Sequence, residues 1–231
     1  MSLLVAILGT TISPYLFFWQ ANMEVEEMRH KKKHLIVDKT LIQEMELDVF
    51  IGMLFSNIVM FFIILTTGTV LFNGGIHQID TVEQAAKALE PLAGKASYYL
   101  FAFGIIGTGF LAIPVLSGSL SYIISETFGW KEGLDKKFHQ ARPFYTVITI
   151  SLILGLCIHY AHISPIQALI YSAVLYGLTS PVIIFIVLHI SNNKKVMGKF
   201  TNSKLSNILG VLTLLLMSIS ALFLLYYQFT G

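Results

Sequence analysis

A proline at mid-depth in the first apolar stretch constrains this chain more than any other feature. Residues 3–19 read LLVAILGTTISPYLFFW, which gathers Gly9, Thr10, Thr11, Ser13 and Pro14 near the middle of a membrane-length segment. A proline cannot donate to the carbonyl four residues back, and its ring pushes that carbonyl aside, so Pro14 deprives Thr10 of its helical partner. The helix is therefore expected to break at Ser13-Pro14. In hydrocarbon, irregular backbone is tolerated only where protein buries it or where it lines a wet cavity, so 9–15 is expected to form an ion or substrate site. The competing expectation is a plain proline kink whose freed carbonyl is satisfied by neighbouring helices.

Composition sets the solvent. Hydrophobic residues make up 55% of the 231 and charged residues 12%, whereas soluble domains carry about 25% charged residues. Apolar runs at about 3–22, 49–72, 97–125, 144–162, 165–190 and 207–229 each approach or exceed the roughly 20 residues a crossing helix needs. The expectation is one all-α integral membrane domain, 1–231, of six transmembrane helices. Cys157 is the single cysteine, which excludes an intrachain disulfide and a cysteine zinc site.

Charge placement gives the orientation. Of the 15 Lys and Arg, 13 follow the first, third and fifth spans, and only Lys87 and Lys95 follow the second. The positive-inside rule then places those three loops in the cytoplasm and both chain ends outside. An outward start at Met1, two residues before a span, suggests that a further segment precedes this one in a longer gene or a separate subunit. The RHKKKH run at 29–34 reads as an orientation signal rather than a lipid or nucleic-acid patch.

Polar residues inside the spans are few and uncharged. Asn57 is expected to bridge helices, worth about 1 kcal/mol. Two small-residue clusters, Gly104, Gly107, Thr108 and Gly109, then Ser117, Gly118, Ser119 and Ser121, flank Pro114 and predict close helix packing. Pro181 should free the carbonyl of Gly177 and mark a second, weaker break. In the outer loop, Asp80 with Glu83 three residues on predicts a capped surface helix, and 38–48 looks helical but reads as a solvated connector. His159 and His162 have helical spacing for a metal but no acidic partner nearby, so they read as interfacial tips. No Asp, Glu, Lys or Arg lies at mid-membrane. A dehydrated divalent cation needs hard oxygen ligands with charge, so a carboxylate must come from elsewhere.

GTTISPYLFFWQ at 9–20, Asp48 followed by Asn57, RPF at 142–144 and above all KKVMGKFTNSKLSNILG at 194–210 resemble the C-terminal half of the natural resistance-associated macrophage protein family of divalent metal transporters. The resemblance covers essentially the whole chain, and VMGKFTN is its most specific part. It implies an inverted-repeat fold of the leucine-transporter type, with these spans as the second repeat plus one extra helix and an N-terminal repeat located elsewhere. Family members bind metal through a backbone carbonyl four residues before the helix proline, which is Thr10 here, and through a methionine just before that proline, which here is Ser13. The histidine after the proline, associated with proton movement, is replaced by Tyr15. A glutamine from the fifth span corresponds to Thr179. A thioether favours softer transition metals, so Ser13 puts strict Mn²⁺ or Fe²⁺ selectivity in question, and Tyr15 does the same for proton symport.

The resulting expectation is half of a secondary transporter that moves Mn/Fe-type divalent metal cations, with Mg²⁺ left open, by alternating access. Thr10, Ser13 and Thr179 are the expected ligands, with Pro14, Tyr15 and Asn57 in support. The chain is read as no enzyme, with no cofactor and no nucleic-acid partner. Its expected partners are the metal, the lipid of a bacterial inner membrane and an N-terminal repeat in cis or as a separate subunit. Two alternatives stand: a non-transporting membrane assembly subunit, and an amino-acid transporter half of the same fold.

Overall fold

The computed structural model describes residues 2–30, 39–72, 96–160 and 164–230, with isolated positions between 73 and 95. Among the described residues the chain is all helix and irregular loop. In order come α1 (Ser2–Thr11), α2 (Pro14–His30), α3 (Lys39–Thr66), which runs on into a π-helical segment at Thr67–Phe72, α4 (Ala96–Phe128), α5 (Arg142–Tyr160), α6 (Pro165–Ser191), the short α7 (Lys194–Met197) and α8 (Lys204–Thr230).

Among the described residues, four helical stretches are long and apolar enough to cross a membrane: Ile42–Phe72, Ala96–Phe128, Pro165–Ser191 and Lys204–Tyr226. In α5 the apolar part, Arg142–Ile158, is shorter. The first span is divided in two at the proline, with α1 ending at Thr11 and α2 beginning at Pro14. The segment before the second span is continuous with α3 and no separate connector.

The helices pack in two groups. α1 lies mainly on α6, with α8 beside both, while α2 lies on α4, which in turn packs on α5. The core of the second group is Tyr122, Ala141 and Phe144, with Trp19, Met23, Tyr145 and Ile148 against it. The Tyr122 and Phe144 rings are 4.8 Å apart, edge to face, a favourable aromatic arrangement. Ser121 donates to the Phe144 carbonyl at 2.5 Å and ties α4 to α5.

Only one of the two small-residue clusters packs. Ser117, Gly118, Ser119 and Ser121 are buried in α4, and a side chain at Gly118 would collide with the Trp19 ring of α2. Gly104 and Gly107 face open space instead. Asn57 does not bridge helices: its amide donates to the carbonyl of Met53 at 2.7 Å within α3. The reason lies in α3, whose most apolar stretch has no buried residue. With no neighbouring helix in reach among the described residues, the amide turns back on its own backbone.

The predicted second break is absent, and α6 runs without interruption through Pro181. Ser180 donates to the Tyr176 carbonyl at 2.6 Å, and Thr179 to those of Leu175 and Tyr176 at 3.0 and 3.2 Å. These bonds go to carbonyls just before that of Gly177, the one Pro181 deprives of its donor, so the helix continues past the proline on its remaining backbone bonds and not through a side-chain substitute. Pro114 is carried through α4 as well, with Ser117 donating to Ile113 at 2.7 Å.

In the loop after α3, Asp80 and Glu83 lie outside the described residues. A reciprocal cap is formed by Thr81 and Gln84, whose side chains each take the other's backbone N–H, at 3.2 and 3.3 Å. Residues 31–34 of the basic run, His162 and the side chain of His159 also lie outside the described residues.

Candidate functional site

The site is built where α1 stops. Ile12 still donates to the Leu8 carbonyl at 3.3 Å, and Leu16 donates to the Ser13 carbonyl at 3.1 Å in a tight first turn of α2. Between them, the Thr10 carbonyl has lost its helical donor to Pro14, which is itself buried. The Ser13 hydroxyl takes the missing place and donates to that carbonyl at 2.8 Å.

Two residues expected to act together are thus brought together, through the atoms assigned to them. The side chain of Thr10 is held elsewhere, donating to the Ile7 carbonyl at 2.8 Å, and Thr11 shares that acceptor at the same distance. Only the backbone oxygen of Thr10 is left at the break. Adjacent oxygens around a small octahedral cation, bound at about 2.0–2.1 Å, lie about 3 Å apart. The Thr10 carbonyl and Ser13 hydroxyl already have nearly that spacing, and the hydroxyl proton can rotate away.

The break is held against α6 by glycines. A Cβ on Gly9 would run into the backbone of Ala173 and Gly177, and one on Gly177 would lie 2.6 Å from a Val5 methyl and 2.7 Å from the Val5 carbonyl. Each helix therefore needs a bare backbone where they cross. Just past the break, Tyr15 sets its ring 5.7 Å from that of Tyr176 on α6. Tyr15 therefore occupies its position as an aromatic contact between helices. Thr179 lies on the same helix as Tyr176, but its hydroxyl is exposed and turned to its own backbone. Asn57 sits on the bare α3, away from this crossing.

The sequence marks Gly9 as the start of the expected 9–15 site and Gly177 as the carbonyl that Pro181 should free, but not as the two sides of a helix crossing. Their spacing from the two prolines, five and four residues ahead of Pro14 and Pro181, is the signal that links them. Sequence reasoning also missed Tyr176. Among the described residues, no group of three or more His, Cys, Asp or Glu could hold a metal ion.

At the far end of α2 lies a polar clasp. The Tyr122 hydroxyl donates to Glu26 of α2 at 2.6 Å and accepts the Leu134 N–H of the 129–141 loop at 3.1 Å. Tyr145 of α5 donates to the Lys136 carbonyl at 2.6 Å, and the Lys136 ammonium donates to the Glu132 carbonyl. Gly133, at φ +134°, leaves room for the Asp135 and Glu26 carboxylates, which a side chain there would strike. One oxygen of the Glu132 carboxyl is buried without a hydrogen-bond partner. Burial pushes this carboxyl above its ordinary value, Glu126 and Glu26 push the same way, and Lys136 and Arg29 oppose them.

Residues 1–227 match the family model described as natural resistance-associated macrophage protein-like. The chain is 27% identical over its whole length to the divalent metal cation transporter MntH of Caldanaerobacter subterraneus subsp. tengcongensis, covering 52% of that protein. It is 25% identical to the MntH of Clostridium acetobutylicum over 98% of its length and 50% of the relative's. With the MntH of Vibrio campbellii the identity is 24% over 93% of this chain and 47% of the relative. The chain therefore spans about half the length of the curated relatives it matches.

Proposed function

Because the chain belongs to the natural resistance-associated macrophage protein-like family, we propose that it is the C-terminal half of a secondary transporter moving divalent metal cations by alternating access. The observation that carries this reading is the paired oxygens at the broken helix, the Thr10 carbonyl and the Ser13 hydroxyl, 2.8 Å apart where α1 crosses α6. Broken helices that present carbonyls at mid-membrane are the usual cation sites of such transporters.

In this reading the chain is the second inverted repeat of a leucine-transporter-type fold plus one added helix, six crossings in all. Thr10 and Ser13 bind the metal, a rotation of α6 brings Thr179 in as a third ligand, and Pro14, Tyr15 and Asn57 support the site. The first repeat, in cis or as a separate subunit, supplies the carboxylate needed to offset dehydration of the ion and covers the bare α3. The metal is of the Mn/Fe type, with Mg²⁺ admitted by the hard Ser13 oxygen. The membrane is a bacterial inner membrane, with both ends of this chain outside.

The test is uptake into vesicles. Alone, the chain should not concentrate Mn²⁺, Fe²⁺ or Cd²⁺. Co-expressed with the half of the Caldanaerobacter relative that it does not match, it should do so, and Ser13→Ala should lower that uptake. Robust uptake by the purified single chain would overturn the reading. A complex that assembles but is inert would favour the assembly subunit.

A further inference from the structure

The basic residues of the second half have no acidic counterparts in the sequence. After Asp135 the chain carries Lys136, Lys137, Arg142, Lys194, Lys195, Lys199 and Lys204 and neither Asp nor Glu through residue 231. Four of these lysines fall between 194 and 204, in the connection from α6 to α8, and all four are exposed. A topology signal needs only their charge, counted near a membrane helix. The structure contains more than a count.

The connection is held in one shape. Asn192 and Asn207 exchange two amide hydrogen bonds, at 2.8 and 2.6 Å, across the ends of α6 and α8. Asn202 adds a third to Asn207 at 3.2 Å and donates its backbone N–H to the Ser191 carbonyl at 3.2 Å. The Asn193 side chain accepts the Lys195 N–H at 2.9 Å and starts α7, and Gly198, at φ +57°, ends it. Three asparagines thus lash together a turn that has no core of its own. Between the lysines stands Val196, 65% exposed, and just beyond them Leu205, 66% exposed. Both helices that bear this turn are apolar enough to cross a membrane, which puts the turn at the bilayer surface. Ammonium groups carried on a fixed backbone at that level, with an apolar side chain among them, match a phosphodiester headgroup above and acyl chains below. A soluble acidic partner would leave Val196 and Leu205 unused.

We propose that the α6–α8 connection is a preorganised binding surface for anionic phospholipid headgroups, with Lys194, Lys195, Lys199 and Lys204 on the phosphates and Val196 among the acyl chains. The asparagine clamp is the part of the surface that makes it more than a diffuse positive charge. The inference does not depend on the chain carrying metal.

The experiment uses the purified full chain reconstituted in phosphatidylcholine vesicles with trace spin-labelled lipid, where the electron paramagnetic resonance spectrum reports lipid held at the protein. Spin-labelled phosphatidylglycerol should be preferred over spin-labelled phosphatidylcholine by about threefold. K194Q/K195Q/K199Q/K204Q should abolish the preference, whereas K131Q/K136Q/K137Q should retain most of it. Asn207→Ala keeps every lysine and should still lose a measurable part of the preference, with helix content checked by circular dichroism. Inorganic phosphate should compete no better than sodium chloride of equal ionic strength. The proposal is overturned if the quadruple variant keeps the wild-type preference, if well-folded Asn207→Ala keeps it in full, or if inorganic phosphate erases it, which would identify a site for free phosphate.

Discussion

Ser13 closes the hydrogen bond that Pro14 removed from Thr10, its first job, and in the proposed site its oxygen would have a second, as a hard, neutral ligand in place of a soft one. The first job explains why the break is stable without metal, since an unmet carbonyl in hydrocarbon is costly and here it is met at 2.8 Å. The second gives a prediction about metal choice. In the complete transporter, Ser13→Met should raise the preference for Cd²⁺ over Mg²⁺, because sulfur binds the softer ion better. One ligand among several commonly changes affinity by about tenfold, about 1.4 kcal/mol. Thr10→Ala should have a small effect, because the Thr10 hydroxyl is committed to Ile7 and only its backbone oxygen faces the break. Competition uptake assays on the two variants read both outcomes. An unchanged metal ranking in Ser13→Met together with lost uptake in Thr10→Ala would move the ligand role to the threonine side chain.

Among the elements, the 129–141 loop holds the far half of the broken helix through Tyr122, and the partly buried Glu132 carboxyl should make that hold depend on pH. A carboxyl that keeps its proton more tightly in the seated loop favours the seated loop at low pH. Its contribution is full below the ordinary value of 4.5 and is lost as pH rises through the raised value. Hydrogen exchange of the loop amides, corrected for intrinsic rates, should show protection in the wild type falling across that window and protection in Glu132→Gln staying flat. Identical pH profiles would remove Glu132 from control of the loop. Which elements exist was readable from the chain; how they pair was not. Pro14 breaks its helix, while Pro114 and Pro181 are carried through theirs. All three prolines have hydroxyls nearby, but only Ser13 bonds across an interrupted turn, whereas Ser180 and Thr179 bond within a continuous one. That distinction rests on backbone geometry, which composition does not record. The Gly9–Gly177 crossing was hidden for a different reason: it joins residues far apart in sequence, and neither glycine alone marks a crossing. Asn57 makes no bridge within this chain because a bridge needs a neighbouring helix, and among the described residues none lies against the most apolar stretch of α3.

On the scale of the whole molecule, the break at 12–13 joins two packing groups, α1 with α6 and α8, and α2 with α4 and α5. In the proposed transport cycle, a movement of one group against the other would flex the chain at the residues that carry the paired oxygens and shift the Tyr15–Tyr176 contact of α2 with α6. Access to those oxygens from one side or the other then depends on orientation, and orientation rests on charge. The three Lys- and Arg-rich loops hold 13 of the 15 basic residues, and each misplaced cation would have to cross hydrocarbon at a cost of about 2.5–3.5 kcal/mol. In a Cys157→Ser background, a single cysteine at position 87 should therefore react with a membrane-impermeant thiol reagent in intact cells. Cysteines at 32 and 136 should react only after the cells are opened. Position 136 is the more demanding probe, because Lys136 anchors the clasp to Glu132, so a cysteine there reports the face on which the clasp and the far end of α2 lie. External labelling at 32 and 136 with none at 87 would invert the molecule: the clasp would lie on the outer face, and the outward chain ends proposed above would lie in the cytoplasm.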